Sequence, residues 1–135
     1  MCNGLSGFYH KSGTTFFIEP DDDGNVSHGE VLKRIPKKYH KDEDMVAFEF
    51  PDWTEKSFHW DHPGEIPDWA DKNACVRLLK QVKPIWKKYE KVWDQAWGEY
   101  MKVCDQAQDN YEKVWDRAWT EMIDELSKIN GYLAN

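Results

Sequence analysis

Tyr89-Glu-Lys-Val-Trp-Asp-Gln-Ala-Trp97 recurs as Tyr100-Met-Lys-Val-Cys-Asp-Gln-Ala-Gln108, and again as Tyr111-Glu-Lys-Val-Trp-Asp-Arg-Ala-Trp119. A period of eleven residues is three helical turns of about 3.67 residues, so each copy lands on nearly the same face of an α-helix. The apolar or small residues of the first copy are Tyr89, Val92, Trp93, Ala96 and Trp97. At about 100° per residue they span an arc of roughly 140°. Lys91, Lys102 and Lys113, with Asp94, Asp105 and Asp116, take the opposite side. The unit describes a helix whose aromatic stripe needs something to pack against.

Asp109-Asn110 reads locally as a helix break, but Tyr111 resumes in phase with Tyr100. A hairpin would have no need to keep that phase, so the spacing predicts one continuous helix from Ile85 to Ile129. At 1.5 Å per residue it would run about 67 Å. A domain of this length has a radius of gyration near ~14 Å. Its compact half could not cover such a rod, and part of the face is expected to meet another chain or a fold-back.

The middle copy carries Cys104 and Gln108 where the others carry tryptophan. Cys104 lies midway between Trp93 and Trp115, and between Trp97 and Tyr111. An antiparallel pair of chains with its two-fold axis at Cys104 would set Trp93 against the partner's Trp115. Charge agrees: residues 77–91 hold six Lys or Arg and one Glu, while 94–125 hold nine Asp or Glu and three Lys or Arg. Exposed pairs add little energy but help set orientation. The expected interface is Tyr89, Trp93, Trp97, Tyr100, Cys104, Tyr111, Trp115 and Trp119, in an antiparallel homodimer. The alternative is a monomer whose helix kinks at Pro84 and again near Asn110 to cover its own sheet.

The first half reads differently. Thr14-Thr-Phe-Phe-Ile18 is rich in β-formers, and Ser27 to Ile35 reads as a short helix, Ser27 and Glu30 forming a capping box and Pro36 ending it. Met45 to Phe50 and Ser57 to Trp60 read as two strands of a hairpin. The fold class is therefore α+β: a small antiparallel sheet with one short helix over 1–66, then a long helix kinked near Pro84 over 67–130, then a tail at 131–135.

Charge and chemistry narrow the function classes. A formal net charge of −7 lacks the basic footprint of a direct nucleic-acid binder. No apolar run approaches the roughly 20 residues that span a bilayer. Three dispersed cysteines (Cys2, Cys75, Cys104) and no secretory signal imply a reducing cytoplasm. Cys2 could become an amino-terminal nucleophile, but such hydrolases need a two-sheet scaffold larger than 66 residues can build. Asp21-Asp-Asp-Gly-Asn25 resembles a calcium loop without its closing glycine and glutamate, and reads as a turn. His59, Asp61 and His62 could touch a metal, yet they lack the spacing of a four-ligand zinc site and read as a strand end and polar loop. No catalytic residue, cofactor or metal is expected.

Residues 42–71 hold ten Asp or Glu against Lys56 alone. Trp53, Trp60 and Trp69 interleave them. Carboxylates with exposed aromatics can imitate phosphates and bases, so Asp42, Glu43, Asp44, Asp52, Glu55, Asp61 and Glu65 form a candidate surface for a basic protein partner. The competing reading is an ordinary solvated face.

Ser27-His28-Gly-Glu30-Val-Leu, the strand Met45 to Phe50, Phe58-His-Trp-Asp61 and Ile66-Pro67-Asp-Trp69 together resemble small uncharacterised proteins of bacterial viruses. Those proteins pair a Ser-His-x-x helix with a Pro-x-Trp junction, and carry Tyr-x-Lys repeats in their helices. The resemblance covers residues 26 to 120 and departs in the lysine-rich loop Lys37 to Lys41. It implies viral origin, and with the acidic segment 42–71 and the tryptophan helix the leading expectation is a non-enzymatic binding protein acting in the host bacterial cytoplasm, inhibiting a defence system such as CRISPR-Cas. It carries over no catalytic residue. An assembly protein oligomerising through the helix is the alternative, and a small Cys- or metal-dependent hydrolase a third.

Overall fold

A computed structural model describes residues 3–135, apart from the side chains of residues 104–108. One antiparallel sheet has the order β2-β1-β3-β4, with β1 at Gly4–His10, β2 at Thr15–Phe16, β3 at Met45–Pro51 and β4 at His59–Asp61. Helix α1 (His28–Arg34) covers one face, and α2 (Lys72–Lys102) and α3 (Cys104–Ser127) cover the other. The class is α+β.

Strand alternation decides which side chains go where. Leu5 and Tyr9 of β1 and Phe48 and Phe50 of β3 join Val82, Trp86, Trp93, Met122 and Leu126 of the long helices in one core. Phe8 and Met45 turn the opposite way, toward Val31 and Ile35 beside α1. Sheet and helices thus share a core across residue 66. Residues 131–135, read as a tail, are also tied in: Phe17 bridges Tyr132 in parallel and Leu133 N–H donates to Phe17 O.

The central strand β1 has no β-rich signature, because two of its seven residues are glycine. Both glycines are required by close approach. A Cβ on Gly4 would strike Phe50 O, and one on Gly7 would strike Phe16 O and the Phe48 ring. The hairpin expected from 45 to 60 is present, with Phe48 opposite Trp60. The capping box is not. Ser27 is the N-cap residue of α1 without a side-chain bond, and Glu30 pairs with Lys33 instead.

The continuous rod is the main correction. The helix does not run unbroken from Ile85 to Ile129: it stops at Lys102, passes through one non-helical residue, Val103 (φ −137°, ψ 73°), and restarts as α3. Asn110, where a second kink was the alternative, lies inside α3. Pro84 lies inside α2 and does not end it, although its ring removes one i→i−4 bond. Packing outweighs the hinge. Interrupting the helix forfeits about four backbone bonds, each worth ~0.5–1.5 kcal/mol net. Folding back buries Met122, Leu126 and Ala118 and brings Trp115 and Trp119 onto Trp93. Each large side chain buried contributes about 1.5–3 kcal/mol.

Candidate functional site

Folding α3 back on α2 satisfies within one chain the pairing expected between two. Trp93 stacks on Trp115 at 6.3 Å between ring centroids, and Trp97 meets Tyr111 at 5.7 Å. Charge complementarity is also internal, since Lys88 Nζ lies 3.1 Å from Glu125 Oε1. That hydrogen bond raises the Lys88 ammonium above its usual range and lowers the Glu125 carboxyl below its own. Burial, aided by Glu125, raises the neighbouring Tyr89 phenol. The uncovered length of rod that motivated a second chain is thereby shortened to the free end of the hairpin.

The aromatic residues expected at an interface divide into two groups. Tyr89 and Trp93 are buried, and Trp115 and Trp119 pack against the same core, stacked on each other at 5.3 Å. This group continues inward: Trp86 packs on Trp93 at 5.2 Å, and Trp53 stacks on Trp86 at 5.8 Å. The second group, Trp97, Tyr100 and Tyr111, clusters toward the free end of the hairpin, outside that core. The side chain of Cys104 lies outside the described residues, as does the whole of Cys2.

Toward that free end several apolar side chains are exposed among the described residues. Trp97 is 51% exposed, Met101 60% and Val103 54%. Four of the six large exposed apolar side chains among the described residues fall between Val92 and Val103. Beside them Ala96, Tyr100, Val103, Tyr111 and Val114, with Glu99, Lys102 and Asn110 at polar positions, line a cleft of about 300 Å³. Exposed apolar groups gathered in one place mark interaction surfaces, whereas scattered ones do not. Met101 and Val103 lie outside the expected interface, because their exposure depends on where the helix turns.

The acidic residues do not form one patch. Asp42, Glu43 and Asp44 make a single 3-10 turn before β3, while Asp52 and Glu55 follow its other end. The seven residues of β3 hold these groups roughly 23 Å apart at 3.3 Å per residue. Asp61 joins the first group, because β4 lies antiparallel to β3 and Asp61 lines a cleft with Asp42. Glu65 is exposed in the loop beyond β4. The interleaved aromatics face inward. Trp53 is 1% exposed and its Nε1–H donates to Asn3 Oδ1, and Trp60 and Trp69 pack around Tyr9. Trp53 is thereby withdrawn from the surface, while Trp60 and Trp69 remain partly exposed.

Of the sequence-based metal candidates, His59 and Asp61 meet residues that were not expected with them. Glu49 of β3 pairs directly with His59 of β4, and Asp61 lies on the same face two residues on. His28, at the start of α1, reaches over that face. Its Nδ1 is 3.4 Å from Glu49 Oε1 and 3.8 Å from Asp61 Oδ2, and Glu49 Oε2 is 3.0 Å from His59 Nε2. His62 faces the neighbouring cleft instead. His28 is twenty-one residues from Glu49 in sequence, so no local spacing could have joined them.

Two other candidates among the described residues, Asp21 and Cys75, have structural roles. Asp21 Oδ1 accepts from the N–H groups of Asp23 and Asn25, closing a turn that needs Gly24 at φ +79°. Cys75 is fully buried, and burial pushes its thiol up to about 12, out of the nucleophilic range. No described helix is long and apolar enough to cross a membrane. Compared with protein-family models, curated proteins and solved structures, the chain matches none.

Proposed function

We propose that this chain is a non-enzymatic binding protein that docks on a protein partner through the free end of its α2–α3 hairpin. One observation carries the reading: Trp97 and Met101, four residues apart on α2, and Val103, which lines the mainly apolar cleft, are all exposed beyond the core that holds the hairpin's base. Large aromatic and methionine side chains are over-represented where protein partners meet. The carboxylates of Asp42, Glu43, Asp44 and Asp61 at one end of the sheet would favour approach by a basic partner, while contributing more to encounter rate than to affinity. The resemblance to bacterial-virus proteins supplies the setting: the host cytoplasm, with a nucleic-acid-binding component of a defence system such as CRISPR-Cas as partner.

The test is expression in a bacterium whose CRISPR-Cas system restricts a targeted virus. Wild type is expected to restore plaques, and a Trp97→Ala/Met101→Ser variant with unchanged circular dichroism is expected to lose that effect. Equal plating by both proteins removes the docking role of the hairpin end. Failure of wild type to restore plaques removes the defence setting.

A second reading, assembly through the helix, is favoured by the hinge itself. The repeat keeps its phase across Val103, and Val103 offers α3 no side-chain cap. With the hinge straightened, α2 and α3 would join and a second copy would supply the antiparallel mate, an exchange of identical elements. Sedimentation at tens of micromolar separates the two: a monomer excludes exchange, and a dimer that persists on dilution supports it.

A further inference from the structure

We propose that His28, Glu49 and Asp61, with His59 beside them, bind one divalent transition-metal ion of the zinc class. Three donor atoms, His28 Nδ1 and one carboxylate oxygen each from Glu49 and Asp61, lie within 4.8 Å of one another. Ligands held about 2.1 Å from one ion stand roughly 3–4 Å apart, so modest side-chain rotation closes the set. The His59 ring, 3.0 Å from Glu49, can rotate in as a fourth donor.

The backbone supplies a second, independent observation. His28 Nε2 lies 3.1 Å from Phe48 O. A carbonyl oxygen only accepts, so Nε2 carries a proton and anchors the ring on the backbone, which leaves Nδ1 as the ring atom that faces the two carboxylates. Metal-ligating histidines are held in this way, the distal N–H donated to a backbone carbonyl to fix ring and tautomer. With Nδ1 unprotonated, this nitrogen and the two carboxylates that converge on it would all be satisfied by one cation.

Scaffold and donor type narrow the ion. Two ligands sit on paired strands and one at the start of a helix packed across them, so the set comes from rigid elements. Imidazole with carboxylate suits zinc, manganese, iron and cobalt, and disfavours the all-oxygen preference of magnesium and calcium. Asp61 also lines a cleft of about 260 Å³ with Phe8, Leu32, Asp42 and His62. An ion at this site would face that cleft and keep positions open for water or an anionic ligand. It would also tie α1 to β4, a three-residue edge strand.

The experiment uses the full chain with Zn²⁺ and Co²⁺ as probes at pH 7. The expected result is one ion per chain, a rise of several degrees in Tm with Zn²⁺, and visible Co²⁺ absorption without a thiolate charge-transfer band. His28→Gln and Glu49→Gln should each weaken binding at least tenfold, while His10→Gln, at a ring bonded to Ser12, should leave it unchanged. In wild type, Co²⁺ should broaden the amide resonances of Phe48 to Glu49 and His59 to Asp61 first, a readout that needs no variant to fold. No binding at 100 µM ion, equal binding by the Gln variants, or broadening centred elsewhere would each overturn the site.

Discussion

Trp93 of α2 stacks on Trp115 of α3 with the ring planes 28° from parallel, and both residues lie eleven positions from Cys104. The chain turns at Val103, beside that midpoint. The repeat is thereby its own antiparallel partner, and the ring stack measures whether the pairing is made within one molecule.

Trp93→Ala is expected to lower stability by about 3–5 kcal/mol, the range for truncating a buried tryptophan. Trp115→Ala, at a half-buried ring, should cost less. A double-mutant cycle should return a coupling of ~0.5–1.5 kcal/mol from the stacked pair. In urea denaturation, these losses should not depend on protein concentration. A midpoint that rises with concentration would place the pair between molecules.

Val103→Asp tests the hinge by its sign. At the residue before α3 an aspartate can accept from an exposed N–H of the first turn, so the variant should gain about 0.5 kcal/mol or more. Inside an unbroken helix the same change meets no free N–H and loses helix propensity. Equilibrium unfolding distinguishes a gain from a loss.

The polar cluster that closes the fold should be sensitive to removal of one partner. Arg34 Nη1 donates to Glu19 Oε1 at 2.9 Å and Oε2 at 2.8 Å, and Tyr132 Oη–H donates to Oε2 at 3.0 Å. Arg34→Met leaves the buried Glu19 carboxylate without its cation, an expected loss of about 3 kcal/mol. Glu19→Gln with Arg34→Met keeps an acceptor for Tyr132 and removes the stranded charge. Thermal unfolding of the double variant should lie above that of Arg34→Met alone.

Stability should fall at alkaline pH, and the direction follows from Cys75 and Tyr132. Burial holds the Cys75 thiol up at about 12, and burial with Glu19 raises the Tyr132 phenol. The unfolded thiol ionises near ~8.5, so above that pH the unfolded chain releases a proton that the folded chain keeps. Stability therefore declines from about pH 8.5 toward 12, by at most ~1.4 kcal/mol per pH unit for the thiol. Tyr132 adds a further decline above about pH 10. Cys75→Ala should flatten the lower part of this profile in urea titrations at pH 7.5 to 10.5.

Strand β3 and its partner β4 were legible because alternation and proline punctuation act locally. Strand β1 was not, because Gly4 and Gly7 answer to the carbonyls of Phe50 and Phe16, which come from other strands. The same division holds at the sites. Trp93 and Trp115 were found by period, and their pairing by symmetry about Cys104. Trp53 was placed outside and lies inside, because Asp52 and Trp53 both adopt positive φ (57° and 59°) and turn the ring onto Trp86.

The repeat by itself determined that the residues on either side of Val103 form helix with one aromatic face, and its symmetry about Cys104 predicted antiparallel pairing. Periodicity encodes the direction of side chains around an axis and nothing about where the axis ends. That the chain turns back at Val103 and brings its own Trp115 onto Trp93 was decided by tertiary packing. Burying Met122 and Leu126 against a core that already holds Trp86 outweighs a few helical hydrogen bonds at Val103. Packing decided likewise that His28, twenty-one residues from Glu49, should meet it across the sheet.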